Sequence, residues 1–225
     1  MKRFSELLQR AKAILQTEGF TSLMKRGSTF VMPAFFASGT YYLYEHTLGV
    51  LDEARFLPRV KDVTVKIVSS NDEADALAAE GFDFRSRFVN ARRMLDKGAM
   101  AVCIFVGREI AHITWVGMSN ASKKTFDGLP YEVDFSNKEA CTGGTVTLPK
   151  YRGLGLMGYG GFKKFQFLKG IGVVVVRHAT GVDNMASRKP YEKFDHRIYA
   201  RARYLKILCW RFWRETPIVQ ADCID

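Results

Sequence analysis

The chain has 225 residues, 47% hydrophobic and 25% charged, a globular composition that excludes a disordered or fibrous protein. Four well-separated cysteines without a CxxC pair argue against a zinc ribbon or a disulfide scaffold and fit a reducing cytoplasm. The four histidines (His46, His112, His178, His196) show no metal-binding spacing. Net charge is +11 and uneven: residues 150–214 hold 15 basic and three acidic residues, a surplus of 12. Such a surplus either serves solubility or marks an anionic partner: a phosphorylated cofactor, nucleic acid, an acidic carrier protein or a membrane surface.

Glu6, Gln9 and Arg10 interrupt any apolar core of a secretory leader, and no stretch reaches the length needed to span a bilayer. Residues 3–15 read as an amphipathic helix, with Phe4, Leu7, Leu8, Ala11, Ile14 and Leu15 at helical spacing, and a short helix is expected over 21–25. This predicts a helical N-terminal extension, residues 1–45, ahead of a main domain, 46–225. The extension either packs on that domain or lies as an anchor at a membrane interface. Val63, Val65 and Ile67 alternate as a strand, and Ser70 caps a helix through Leu77. A further helix is expected over 84–95. Strands over 101–106 and 110–116 turn at Gly107-Arg108, and 120–128 reads as a polar loop.

The remainder reads strand 140–148, helix 156–168, strand 173–176, helix 185–194 and a final strand 204–212. The β-branched run Val173–Val176 suits a strand covered on both faces. The pattern is that of an α/β domain with a mixed sheet.

The most informative stretch joins the strand at 140–148 to the next helix through Pro149-Lys150-Tyr151-Arg152-Gly153-Leu154-Gly155-Leu156-Met157-Gly158. Glycines let the backbone approach a ligand closely, and the free N–H groups of a helix's first turn attract phosphate. Three readings compete. Gly153-x-Gly155-x-x-Gly158 formally matches a dinucleotide fingerprint, with Arg177 placed for a 2′-phosphate, but four residues separate it from its strand and too little chain follows. A nucleotide P-loop would need GxxxxGK, which is absent.

In the third reading the turn resembles that of the GNAT acetyltransferase family, (Arg or Gln)-x-x-Gly-x-(Gly or Ala), matched by Arg152-Gly-Leu-Gly155-Leu-Met157. Met157 replaces the usual small residue, and Gly158 follows it. A second family feature, Asn-x-x-(Ala or Ser)-x-x-x-Tyr-Glu-Lys, is matched after the next strand by Asn184, Ser187, Tyr191, Glu192 and Lys193. Pro190 stands just before Tyr191, and the family's Gly-Phe beyond Tyr-Glu-Lys is missing. The resemblance covers about residues 62–214.

It implies a GNAT-like mixed, splayed central sheet flanked by helices, and acyl transfer from acetyl-CoA or another acyl-CoA to an amine by direct attack. It also implies that Val146, Thr147 and Leu148 pair with the pantetheine arm. The amides of Arg152, Gly153, Leu154, Gly155, Leu156, Met157 and Gly158 would hold the pyrophosphate, with Asn184 near the pantetheine. Tyr191 would protonate the leaving thiolate, and Glu139 is the expected general base, ahead of Glu132 and Asp134. No metal is expected. Each role has a plainer counterpart: Asn184 as a helix cap, Tyr191 as a packed helix residue, Glu139 as a solvated carboxylate. Cys141 reads as a small buried strand cysteine rather than an acyl-carrying nucleophile.

Two variants remain in view. One is a long-chain N-acyltransferase, fed by acyl-CoA or an acyl carrier protein at an anionic membrane surface. The other is a basic nucleic-acid-binding or non-catalytic CoA-binding module, in which Trp210 and Phe212 would serve as stacking platforms instead of packing in the sheet.

Overall fold

The computed structural model describes residues 36–88 and 90–218. The expected helices at 3–15 and 21–25 lie outside them. In chain order come strand β1 (Phe36–Thr47), β2 (Val63–Val68), helix α1 (Asn71–Ala79), α2 (Ala91–Asp96), β3 (Ala99–Val106), β4 (Glu109–Gly117) and α3 (Asn120–Phe126). There follow β5 (Glu139–Thr147), α4 (Leu156–Gly170), β6 (Val175–Gly181), α5 (Met185–Tyr191), β7 (Arg197–Ile207) and β8 (Trp210–Pro217). The strands form one mixed, mostly antiparallel sheet in the order β2-β3-β4-β5-β6-β1-β7-β8.

The chain divides into two units, one comprising 41–201 with 216–218, the other 36–40 with 202–215. In the larger unit, helices cover both faces of the sheet. One core holds Ala74, Leu77, Met94 and Leu95 of α1 and α2 against Ala101, Cys103 and Trp115. The other packs Phe162, Phe165 and Leu168 of α4 and Tyr191 of α5 against Val102, Ala140 and Val176. Burial of these side chains supplies the main stabilisation, roughly 1.5–3 kcal/mol for each large apolar group. In the smaller unit β7 and β8 form a hairpin, with Tyr204 and Trp213 in edge-to-face contact at 6.2 Å.

Four expectations need correction. Residues 36–45 are strand, not helix, so the boundary expected at 45 falls inside β1. Tyr44 and His46 there supply buried rings to the sheet opposite His178 and Val176. Residues 120–126 form a helix, closed by a capping box between Ser119 and Ser122. The helix expected over 84–95 is broken: a 3-10 turn at Arg85–Arg87 precedes α2. The single final strand is two strands, joined where Leu208 takes a left-handed φ of 55°. Trp210 and Phe212 on β8 are 68% and 55% exposed rather than packed in the sheet. No helix among the described residues is long and apolar enough to cross a membrane.

Candidate active site

β5 and β6 run parallel and stay paired for three positions only, Glu139 with Val175, Ala140 with Val176 and Cys141 with Arg177. Beyond Cys141 they part. β5 continues to Thr147, held on its other side by β4 through Thr142–Val116, Gly143–Trp115, Val146–Ile113 and Thr147–His112. A bulge lies between the Gly143–Trp115 and Val146–Ile113 pairs, where Gly144 has a φ of 57°. From Thr142 to Thr147 the β6-facing edge of β5 has no strand partner among the described residues. The backbone groups of such an edge are available to an extended ligand. The half-exposed Val146 and Thr147 therefore line a gap, while Leu148 packs towards the α1/α2 core and donates its N–H to the Ala111 carbonyl at 2.9 Å.

At the open end of that gap the chain makes the glycine turn. Gly153 and Gly155 take φ values of 78° and 83°, a conformation that costs other residues about 1 kcal/mol or more. The first α4 amide satisfied within the helix is that of Tyr159, which donates to Gly155 O at 3.0 Å. Among the described residues the six preceding amides, from Gly153 to Gly158, have no backbone acceptor. Alternating glycines and a helix N-terminus thus leave consecutive N–H groups without a backbone acceptor, an arrangement able to bind a phosphate group. Arg152 is held beside them by donating Nε–H to the Thr147 carbonyl at 3.3 Å. The Leu154 carbonyl accepts from Arg59, and Gly155 lies over Pro58, which fixes the turn from outside. Leu156 is buried beneath it, with Met157 packed into the α4 core.

Tyr191 ends α5 and is buried, its hydroxyl directed at Thr142, the first residue of β5 past the paired segment. Burial pushes its pKa to about 12, so it holds its proton at every physiological pH. Its ring stacks on His178 at 4.4 Å and touches His46 at 5.3 Å. Pro190 does not displace it; the helix runs through to Tyr191. Asn184 caps α5 with its carboxamide oxygen, which accepts from the Ser187 amide at 3.2 Å.

Glu139 is not placed to act as a base. Its oxygens accept two hydrogen bonds from Arg177, at 2.7 and 2.8 Å, and one from the Asp134 amide at 2.8 Å. The Arg177 guanidinium holds its carboxyl below the ordinary range, the opposite of what a base working near neutrality requires. Glu139 also sits in the paired part of β5, away from the gap. Cys141 is fully buried and pushed up to about 12 by that burial, and its thiol donates to the Tyr131 hydroxyl at 3.0 Å. That hydroxyl in turn donates to Asp127 at 2.6 Å. The described residues contain no group of ligands able to hold a metal ion.

Sequence reasoning missed Lys164. It counted among surface cations, yet it is 1% exposed on the sheet-facing side of α4, and burial lowers its pKa to about 7. The signal was present in the spacing Leu156, Gly160, Lys164, Leu168, a four-residue stripe whose other members are all buried.

No family model matches the chain, and no curated protein does. Among solved structures, the chain matches the GCN5-related glucosamine N-acetyltransferase region of a fungal multi-domain β-N-acetylglucosaminidase, with a TM-score of 0.50 and 14% identity. That match covers 87% of this chain and 23% of the other. A GCN5-related N-acetyltransferase from Kribbella flavida gives 0.46 at 16% identity, covering 80% and 63%. A tandem GNAT protein from the clavulanic acid biosynthesis pathway gives 0.47 at 16%, covering 87% and 59%. The chain thus spans less than two thirds of the length of each of these structures. The chain, with its splayed parallel strand pair and its glycine turn at a helix N-terminus, shares the fold of the GCN5-related N-acetyltransferase region that it matches at a TM-score of 0.50.

Proposed function

We propose that the protein is an acyl-CoA-dependent N-acyltransferase. The observation that carries this reading is the continuity of three features along one gap: the unpaired β5 edge, the six open amides of the glycine turn, and the Tyr191 hydroxyl at Thr142. An extended amide-containing arm suits the first and a pyrophosphate suits the second. A thioester at the third has an acid in reach.

In this reading Val146 and Thr147 hold the arm of the acyl-CoA, Gly153 to Gly158 its pyrophosphate, and Arg152 adds charge beside them. Asn184 contacts the arm from the N-terminus of α5. The acyl-CoA supplies an activated carbonyl whose departing thiolate needs a proton. Tyr191 donates it, and the proton that the amine nitrogen loses on forming the amide passes through water to restore the phenol. The larger contribution is positioning of amine against thioester in a gap walled by two strands.

Calorimetric titration with acetyl-CoA, palmitoyl-CoA and NADPH tests this, on the wild-type chain and on Gly155→Glu. Acyl-CoA binding that the variant loses is the expected result. Binding of NADPH alone would replace the reading with a dinucleotide one.

A second observation favours an anionic membrane surface as partner. Ile207, Leu208, Trp210 and Phe212 are 43–68% exposed on the β7–β8 hairpin, interleaved with Lys206, Arg211 and Arg214. An apolar tip among cations suits a lipid headgroup layer. Co-sedimentation with phosphatidylserine vesicles, absent with phosphatidylcholine alone and lost in Leu208→Ser/Trp210→Ser, is the test.

A further inference from the structure

Behind the gap, on the α4 side of the sheet, Lys164, His46, His178 and Thr142 gather around Tyr191. Their exposures are 1%, 0%, 3% and 1%. The His46 and His178 rings stack at 5.1 Å, and the Lys164 ammonium lies 5.9 Å from the centre of the Tyr191 ring and 5.2 Å from that of Phe165. Both ring nitrogens of His46 and of His178, and the Thr142 hydroxyl, lack a hydrogen-bond partner of good geometry among the described residues.

The titratable groups facing Lys164 are His46 on β1, His112 on β4, Cys141 on β5, His178 on β6 and Tyr191 on α5. No carboxylate is among them. Folded interiors leave few buried polar groups unpaired, and an uncompensated buried ammonium is costly. Several such groups converging on one place call for a ligand that brings acceptor atoms and negative charge.

We infer that this cluster is a subsite for a carboxylate carried on the acyl group, which makes the donor a short dicarboxylic acyl-CoA such as succinyl-CoA. The inference rests on the acyl-CoA reading above. Charge selects a carboxylate over a phosphate. Burial lowers His46 and His112 to about 3 and His178 further, so these three are neutral and Lys164 is the cation against Tyr191, with His196 5.7 Å from His46 at the far side of the cluster. One ammonium balances a carboxylate and leaves a phosphate dianion partly uncompensated. Position selects the acyl donor over the acceptor. α4, which carries Lys164, begins at the turn offered to the pyrophosphate, and the cluster surrounds the hydroxyl offered to the thioester. His46 and Phe165 also wall a cavity of about 260 Å³ beside the cluster, with Phe162 and Phe194 and with Lys169 and Asp195 as its charged lining.

Calorimetry with CoA, butyryl-CoA and succinyl-CoA decides the matter, since butyryl and succinyl share a carbon count and differ in the terminal carboxylate. The expected result is succinyl-CoA binding at least ten-fold tighter than butyryl-CoA at pH 7.5. Proton uptake should accompany succinyl-CoA only, seen as an enthalpy that varies with the ionisation heat of the buffer. Lys164→Met should erase both differences while binding CoA as the wild type does, which also shows that it is folded. His178→Phe, made in parallel, should shrink the preference and keep the proton uptake.

Equal binding of the two thioesters overturns the proposal and leaves the acyl-CoA reading standing. A preference that survives in Lys164→Met also overturns it. A Lys164-dependent response to glutamate added to the acetyl-CoA complex, with none to succinyl-CoA, would move the carboxylate to the acceptor and overturn the donor assignment. Binding of no CoA species removes the acyl-CoA reading and this inference together.

Discussion

Arg177 on β6, opposite Cys141 at the last register before the strands part, reaches back to grip Glu139 on β5 through two hydrogen bonds. The same guanidinium reaches Glu45 on β1 at 2.9 Å and lies 5.0 Å over the Tyr199 ring on β7. Four strands are thereby tied together at the apex of the gap. The splay begins one residue past Arg177 and Cys141, beyond the segment that this clamp holds together.

Arg177→Met removes the cation and leaves two carboxylates partly buried and unpaired. Breaking a buried pair from one side costs about 3–5 kcal/mol. Urea denaturation should show a loss towards the lower end of that range, because both partners retain some exposure. Glu139→Gln should cost less and leave acyl transfer within a few-fold of wild type. A loss of turnover without a loss of stability in Glu139→Gln would restore the carboxylate as a base.

Acid titration follows from the same pair. The folded pKa of Glu139 lies below its unfolded value, so the stability it contributes is present above the ordinary carboxylate value. It disappears as pH falls through the folded pKa. The wild-type chain should lose stability faster than Glu139→Gln between pH 4.5 and the folded pKa, measured by urea midpoints at stepped pH. Parallel curves would show that the pair contributes nothing.

Tyr191→Phe keeps the ring that stacks on His178 and removes the acid. Turnover with the true acceptor should fall about 10²-fold or more, within the usual span for a lost general acid, while acyl-CoA affinity stays the same. Melting temperature should change little, since the ring contacts with His178 and His46 stay. Unchanged turnover would show that the thiolate leaves without help.

Gly155→Ala and Gly155→Glu separate backbone strain from ligand exclusion. The added Cβ meets ordinary contact at 3.5 Å from Pro58, so the alanine variant pays chiefly for a left-handed φ, about 1 kcal/mol. It should melt slightly earlier and still bind CoA. The glutamate variant pays the same and also sets a carboxylate against the open amides, so binding should vanish. Equal retention by both would take the pyrophosphate away from this turn.

The parts legible in the sequence were those with local signals. Glycines at 153 and 155 after a strand mark the turn, and Ser70 marks the start of α1. β1 was illegible because its neighbours β6 and β7 lie on either side and rings occupy both faces, so Tyr41-Tyr42-Leu43-Tyr44 shows no alternation. α3 carries a weak sequence signal because its capping box uses Ser122 where glutamate is the usual residue. The β7–β8 turn carries Leu208 and Cys209 rather than glycine or asparagine, so two strands read as one. The role of Glu139 depends on Arg177, 38 residues away, and that pairing is visible only once β5 and β6 lie side by side.

Lys164 gives the sharpest stability prediction. Burial lowers its pKa from an ordinary 10.5 to about 7, so between those values the unfolded chain binds a proton that the folded chain does not. Stability therefore rises with pH across that window, by a few kcal/mol in total, and below pH 7 the folded state carries the full cost of a buried charge. Lys164→Met fills similar space without that charge. It should be more stable than wild type at pH 6, and the two should converge by pH 10, as read from thermal melts at stepped pH. If the wild-type profile is flat from pH 7 to 10, the ammonium has water or a counter-ion beside it, and the electrostatic basis of the carboxylate subsite falls with it.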